Sequence, residues 1–218
     1  MTETASITNR LLLVNKPPGW TSFDVVNKLR KILGIKKIGH AGTLDPLATG
    51  LLIVCTGKMT QRIAELTGLD KEYTGTLILG QSTPSHDRET PVTEVHDITH
   101  IKNEEILAAA TTLTGEIEQI PPAHSAIKIK GKRAYKLARA GQIPQLKPRR
   151  VQVHTFEITG INLPEVHFRV VCSKGTYIRS LVRDLGAKLG TGAHLAALCR
   201  TRIGEYRLED AKPISAFQ

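Results

Sequence analysis

Apolar residues along the chain change period several times, and each change predicts an element. Residues 1–9 are polar and expected to fray, after which Leu11 to Val14 forms a short apolar run that stops at Asn15-Lys16-Pro17-Pro18-Gly19, a strand followed by a stiff turn. Val25, Val26, Leu29, Ile32 and Leu33 then recur at helical spacing. Thr21 with Asp24 three residues on gives a capping-box start, and Gly34 stops the run. Lys28, Arg30, Lys31, Lys36 and Lys37 fall on or beyond its polar side, where cations suit a helix C-terminus as well as they suit phosphate. Leu51 to Cys55 reads as a buried strand, Met59, Ile63 and Leu66 as one face of a short helix closed by Gly68, and Glu72 to Leu79 as an alternating strand. Asn103 to Leu113 reads as a helix capped by Asn103 and ended by Gly115. Val151 to Ile161 and Val166 to Cys172 read as paired strands, and Ile178, Leu181, Val182, Leu185 and Leu189 as a buried helical stripe. Hairpin-like strand spacing interrupted by helices predicts an α+β fold on a mixed, largely antiparallel sheet.

With 218 residues, 40% of them hydrophobic, the chain can bury one sizeable core, and one domain is expected. Thirty Lys and Arg against twenty Asp and Glu leave +10, which draws a polyanion from beyond contact distance. Nucleic acid fits; so does a merely soluble basic protein. Aromatic content of 4% disfavours stacking on many exposed bases. Cys55, Cys172 and Cys199 are odd in number and widely spaced, which argues against a disulfide framework and a zinc site. His96 and His100 are four apart, but Asp97 stands where a zinc-helix motif needs glutamate. Neither a basic leader nor a run of roughly 18 apolar residues is present, so a cytoplasmic protein without a membrane partner is expected.

The richest chemistry lies in Gly39 to Leu52, Gly-His-Ala-Gly-Thr-Leu-Asp-Pro-Leu-Ala-Thr-Gly-Leu-Leu. Gly39, Gly42 and Gly50 permit backbone angles that other residues resist, and Pro46 pushes Asp45 toward an extended conformation in a defined loop. Asp45 is the only acid in the window; taken alone it also reads as a turn-capping aspartate. Farther on, Arg179 falls off the buried stripe in the first turn of its helix, where a cation opposes the dipole by a few tenths to about 1 kcal/mol, so an anionic partner is expected. Lys128, Lys130, Lys132 and Arg133 form a basic strand-turn-helix suited to gripping phosphate, or a solvated edge.

The window at Asp45 resembles the motif G-H-x-G-x-L-D-P-x-A-x-G of the TruB family of tRNA pseudouridine synthases, matching every fixed position. Lys16-Pro17-x-Gly19 is similar to the family's D-K-P-x-G, with Asn15 in the acidic position, and Lys71-Glu72-Tyr73 to its K-x-Y. The run from Ile120 to Tyr135, Ser173-Lys174-Gly175-Thr176-Tyr177-Ile178-Arg179, and Leu198 to Gly204 resemble further family motifs. At 83–90 the family pattern T-D-T-x-D-x-x-G survives only at Thr83 and Asp87.

The resemblance implies the pseudouridine synthase fold and isomerisation of uridine 55 in the T loop of tRNA without cofactor or metal. It makes Asp45 the nucleophile, Arg179 its cationic partner and Tyr73 a residue that packs on the base and has been proposed as a proton acceptor; packing is the safer role for a phenol of ordinary pKa about 10. His40, Tyr177 and Leu198 are assigned to substrate binding, Lys16 and Pro17 to buttressing the catalytic loop, and Asp87 to the charge network. Attack at C1′, attack at C6 and abstraction of a sugar proton remain open as routes for Asp45. The implied protein is a monomeric single catalytic domain over 1–218, without the small PUA-like RNA-binding C-terminal domain of many bacterial members. A non-catalytic RNA-binding or tRNA-folding protein on the same fold is the rival. A glycosidase is disfavoured because no second acid lies near Asp45 in the sequence.

Overall fold

The computed structural model describes residues 8–125, 127–129, 131–142 and 146–218. The expectations for residues 1–7 and for Lys130 therefore fall outside the described residues. In chain order the elements are β1 Leu11–Lys16, α1 Ser22–Leu33, β2 Ile38–Ala41, β3 Thr49–Thr56, α2 Ile63–Gly68, β4 Lys71–Leu79, β5 Gln81–Ser82 and β6 Glu94–Val95. After these come α3 Asn103–Thr112, β7 Gly115–Gln119, β8 Lys128–Ile129, β9 Lys132–Arg133, α4 Ala134–Arg139, β10 Arg149–Asn162, β11 Glu165–Cys172, α5 Ile178–Lys188, β12 Ala193–Ile203, β13 Tyr206–Arg207 and β14 Lys212–Pro213. They form two units, one running to Thr74 and including Ala197–Gln218, the other Gly75–Ala196.

In the first unit the sheet is mixed. β1 pairs antiparallel with β3 and parallel with β14, β2 pairs antiparallel with β3, and β3 runs parallel to β12. The unbroken apolar run Leu51 to Cys55 is explained by burial on both sides. Leu52 and Val54 join Leu12, Val14, Val25, Val26 and Leu29 in one cluster, while Leu51, Ile53 and Cys55 join Ala41, Leu66 and Ile203 in another. Helix α1 starts as expected: Thr21 Oγ1 accepts from Asp24 N at 3.0 Å, Asp24 Oδ2 accepts from Thr21 N at 2.9 Å, and Gly34 closes it at φ 66°.

In the second unit β10 pairs antiparallel with β11 and with β7, and α3 and α5 pack with each other. Phe156 and Phe168 meet edge to face at 5.9 Å between centroids. The stripe Ile178, Leu181, Val182, Leu185 is buried. Gly186 has no room for a side chain, since a Cβ there would lie 2.6 Å from Ala193 N.

Three local expectations change. Residues Gly57–Arg62 form a 3-10 turn before the α2 helix, so the Met59 to Leu66 stripe crosses two kinds of helix. Lys102, not Asn103, is the N-cap of α3, because Glu105 Oε2 reaches back to Lys102 N at 2.7 Å and fixes the helix start one residue earlier. Gly39 and His40 lie on β2 rather than in a loop. Gly39 is required there for closeness rather than angle, as a Cβ would lie 2.9 Å from Ile63 Cδ1.

Candidate active site

In the first unit two stitched segments hold Asp45 half-buried. Pro46 and Leu47 form a turn after Asp45, closed by Ala48 N donating to Asp45 O at 3.1 Å. On one side of the aspartate, Leu44 N donates to Ser22 Oγ at 2.8 Å and Ser22 Oγ donates to Leu44 O at 3.2 Å. On the other side, Gly19 N donates to Pro46 O at 2.9 Å. The carboxylate-bearing residue is thereby held between a tether to the first residue of α1 and one to the turn that follows β1.

Beneath that turn lies Lys16, the last residue of β1, at 0% exposure. Its Nζ donates to Pro17 O at 2.9 Å, Trp20 O at 2.5 Å and Pro46 O at 3.1 Å, so all three protons of an ammonium are used. Burial pushes its pKa down to about 8; the Asp45 carboxylate opposes the shift and the Arg200 guanidinium adds to it. Lys16 is thus a buried lysine bonded to the Asp45 loop through Pro46 and not a surface lysine. Asn15, where the family pattern has an acid, is exposed on β1.

Arg200 was not singled out by the sequence, although it lies within the Leu198 to Gly204 motif. It is 1% exposed on β12, donating through Nε to Leu51 O at 2.8 Å and through Nη2 to Gly42 O at 3.1 Å. Gly50 pairs with it in register, at φ 99°, and a Cβ there would lie 2.4 Å from Arg200 O. Gly42, at φ 88°, lets the loop pass over the same guanidinium. Arg200 and Lys16 make the floor of the loop cationic. His40 lies on β2, and burial, then Arg200, lower its pKa, which keeps the imidazole neutral at pH 7. Among the described residues its buried Nδ1 has no hydrogen-bond partner. Tyr73 on β4 and Leu198 on β12 are buried, Leu198 O accepting from Thr49 Oγ1 at 3.3 Å. Pro17 is half-buried.

In the second unit Arg179 is 3% exposed, so it is not a solvated surface cation. Nη1 donates to Ser85 O at 3.0 Å, Nη2 to His124 O at 2.9 Å, and Nε lies 3.5 Å from Asp87 Oδ2. Asp87 is itself fixed: Oδ1 accepts from Ser85 Oγ at 2.5 Å and from Glu89 N at 2.9 Å, and its carbonyl accepts from Thr83 Oγ1 at 2.7 Å. The segment that departs most from the family pattern is therefore a buried polar knot, not a loose loop. His86 in its middle adopts φ 59°, and burial, with Arg183 and Arg179 behind it, lowers its pKa to about 4.

Tyr177 precedes α5 and is clamped by Gln119, whose Oε1 accepts from Tyr177 N at 2.8 Å and whose Nε2 donates to Tyr177 O at 3.1 Å. Arg149 lies 4.6 Å over its ring. Neither Gln119 nor Arg149 was foreseen; an isolated glutamine at a strand end carries no sequence signal. Lys128 and Arg133 are register partners in the β8–β9 hairpin, Gly131 turns it at φ 83°, and Lys132 is exposed.

Among the described residues no group of three His, Cys, Asp or Glu is placed to hold a metal ion, and no helix is long and apolar enough to cross a membrane. Cys55 and Cys172 are buried and Cys199 is half-buried.

Comparison with known proteins follows the same residues. Residues 30–178 match the TruB family pseudouridylate synthase N-terminal domain, and 179–217 the tRNA pseudouridylate synthase B C-terminal domain. The chain is 49% identical over 225 residues to a tRNA pseudouridine synthase B of Flavobacterium johnsoniae, covering 100% of this chain and 98% of that protein. A protein of the same name from Phocaeicola vulgatus is 52% identical over 213 residues, covering 95% and 91%. Among solved structures, a Cbf5-Nop10-Gar1 complex contains a chain that superimposes with TM-score 0.75 at 31% identity, over 97% of this chain and 54% of that one. The glycine-flanked aspartate and the arginine-bearing helix thus stand in a sequence matched from residue 30 to residue 217, and the chain belongs to the TruB family of pseudouridylate synthases.

Proposed function

We propose that the chain converts uridine 55 in the T loop of tRNA to pseudouridine, with Asp45 as the nucleophile. The observation that carries this reading is Asp45 itself: half-buried, fixed on both sides through Leu44 and Pro46, and lying over the cationic floor of Lys16 and Arg200. Relatives about half identical along their length bear the name tRNA pseudouridine synthase B.

The reaction breaks the bond from N1 to C1′, turns the uracil and joins C5 to C1′, while C5 gives up a proton and N1 gains one. Nothing is oxidised or reduced. Attack at C1′, attack at C6 and removal of a sugar proton all require an ionised carboxylate, and nearby cations favour that form. Asp45 pairs with Arg179 in this mechanism, as the family motif implies, and the buried contacts of Arg179 with Asp87, Ser85 and His124 support a guanidinium of fixed orientation. Tyr73 packs on the base, Leu198 lines its pocket, His40 fills the gap or packs on the RNA, and Tyr177 lies beside the nucleotide. Lys132, with Lys128 and Arg133 on its hairpin, contacts phosphate. The uridine must leave its stack, which costs a few kcal/mol and is offset by stacking in the pocket. The protein acts as a monomer in the cytoplasm on the T arm.

Asp45→Asn is expected to abolish tritium release from C5-labelled uridine in T-loop RNA while RNA affinity stays within a few fold. Retained release overturns the assignment of Asp45. Comparing an isolated T-arm stem-loop with intact tRNA tests the T-arm assignment, which fails if only intact tRNA reacts.

A further inference from the structure

Helix α1 presents an aromatic residue to solvent beside the Asp45 loop. Phe23 is 61% exposed, in the first turn of a helix whose start is locked by the Thr21 and Asp24 box. Its neighbour Ser22 is the residue bonded to both backbone groups of Leu44, so Phe23 stands one residue from a tether to the catalytic loop. Leu47, two residues beyond Asp45, is 44% exposed. An exposed phenyl ring on a rigid helix start adds nothing to the core, which α1 already supplies through Val25, Val26 and Leu29.

The same ridge continues at helical spacing through Asn27 to Arg30 and Lys31, about 10 Å along the axis at 1.5 Å per residue. Arg30 donates to the neutral Asn27 amide at 2.5 Å. Neither Arg30 nor Lys31 has an acidic partner among the described residues. An aromatic face at one end and unpaired cations at the other match a single RNA strand, which offers a flat base and, farther along, a phosphate.

We infer that Phe23 stacks against a base adjacent to the target uridine, with the backbone of the same strand continuing over Arg30 and Lys31. The inference rests on RNA being the substrate. Extruding one nucleotide deprives its neighbour of a stacking partner, and Phe23 supplies a replacement next to the loop that receives the extruded uridine. Phe23 is therefore a substrate-binding residue that favours the opened form of the RNA strand.

The test uses the full chain and a T-loop hairpin RNA in which each nucleotide flanking the target uridine is replaced in turn by fluorescent 2-aminopurine. Wild type is expected to quench one of these positions on binding. Phe23→Ala is expected to weaken affinity on the order of tenfold, at the lower part of the range for loss of base–aromatic stacking, and to remove the quench. Phe23→Tyr is expected to restore both, and Phe23→Leu neither. The double change Arg30→Gln with Lys31→Gln is expected to reduce the slope of log affinity against log salt by about 1.4, as for two lost phosphate contacts on a single strand. Binding and quench by Phe23→Ala within twofold of wild type, with tritium release intact, overturn this surface alone. Wild type that quenches normally yet releases no tritium overturns the activity proposed above and leaves the stacking surface standing.

Discussion

Replacing Lys16 with Met separates the buttress from the fold. The ammonium is buried, and lowering its pKa from 10.5 to about 8 corresponds to about 3 kcal/mol of preference for the neutral form. Removing the charge relieves that cost. Against it, Pro17 O and Trp20 O lose their Lys16 donor, at about 1–3 kcal/mol each, whereas Pro46 O keeps Gly19 N. The balance lies between a gain of about 1 and a loss of about 3 kcal/mol, so the melting temperature falls by no more than about 10 °C for a chain of this length. Activity is expected to suffer far more, because Pro46 loses a tether and Asp45 a cation; displacements near 1 Å cost about 100-fold. The pH dependence gives a second check. Below about 8 the native lysine is charged and serves all three carbonyls; above it a neutral amine has too few protons, so wild-type tritium release is expected to fall as pH rises through about 8. Stability runs the other way. Between about 8 and 10.5 the unfolded chain holds the proton that the native chain has released, so the Lys16 contribution to unfolding free energy rises with pH. Turnover by Lys16→Met within threefold of wild type, or survival of the alkaline limb in that variant, would refute the buttress argument.

Two further outcomes follow from the second unit. Asp87→Ala leaves the buried Arg179 without that carboxylate and removes the Oδ1 acceptor of Ser85 Oγ and Glu89 N, and urea unfolding is expected to show a loss of about 3 kcal/mol or more, with Asp87→Asn costing about 1 because the amide oxygen still accepts from Ser85 and Glu89. An Ala variant as stable as wild type would contradict the knot described at 83–90. His86 has a native pKa of about 4 against 6.5 when unfolded, so as pH falls from 6.5 the unfolded chain takes the proton first and up to about 3 kcal/mol of stability is lost by pH 4, with no further loss below. His86→Asn keeps a residue that tolerates φ 59° but removes this dependence; equal acid sensitivity of the two proteins in denaturation from pH 6.5 to 4 would refute it.

Much of the architecture was legible where local rules and burial agree. The Thr21 and Asp24 cap, the two-sided strand at Leu51 to Cys55 and the β10–β11 pair follow from short-range pattern, and tertiary packing did not override them. β2 was not legible, because Ile-Gly-His-Ala is too short to show a period and its glycine serves the approach of Ile63. The Lys102 cap escaped notice since an asparagine one residue later has the stronger propensity, and the outcome was decided by the reach of Glu105. In the site, Lys16 and Asp45 were readable from motif. Arg200 was not, since its role depends on carbonyls of Gly42 and Leu51, about 150 residues away. Asp87 was only faintly visible, because burial rather than neighbouring letters distinguishes it from a turn aspartate.

That distant anchorage bears on biosynthesis. The loop at Asp45 takes shape against Arg200, and β3 completes its parallel edge only when Cys199 and Arg200 arrive. At 5–20 residues per second a ribosome needs roughly ten to thirty seconds to travel from one to the other. Throughout that interval the nascent polypeptide carries its acid on an unfinished support, so competence is acquired late in translation.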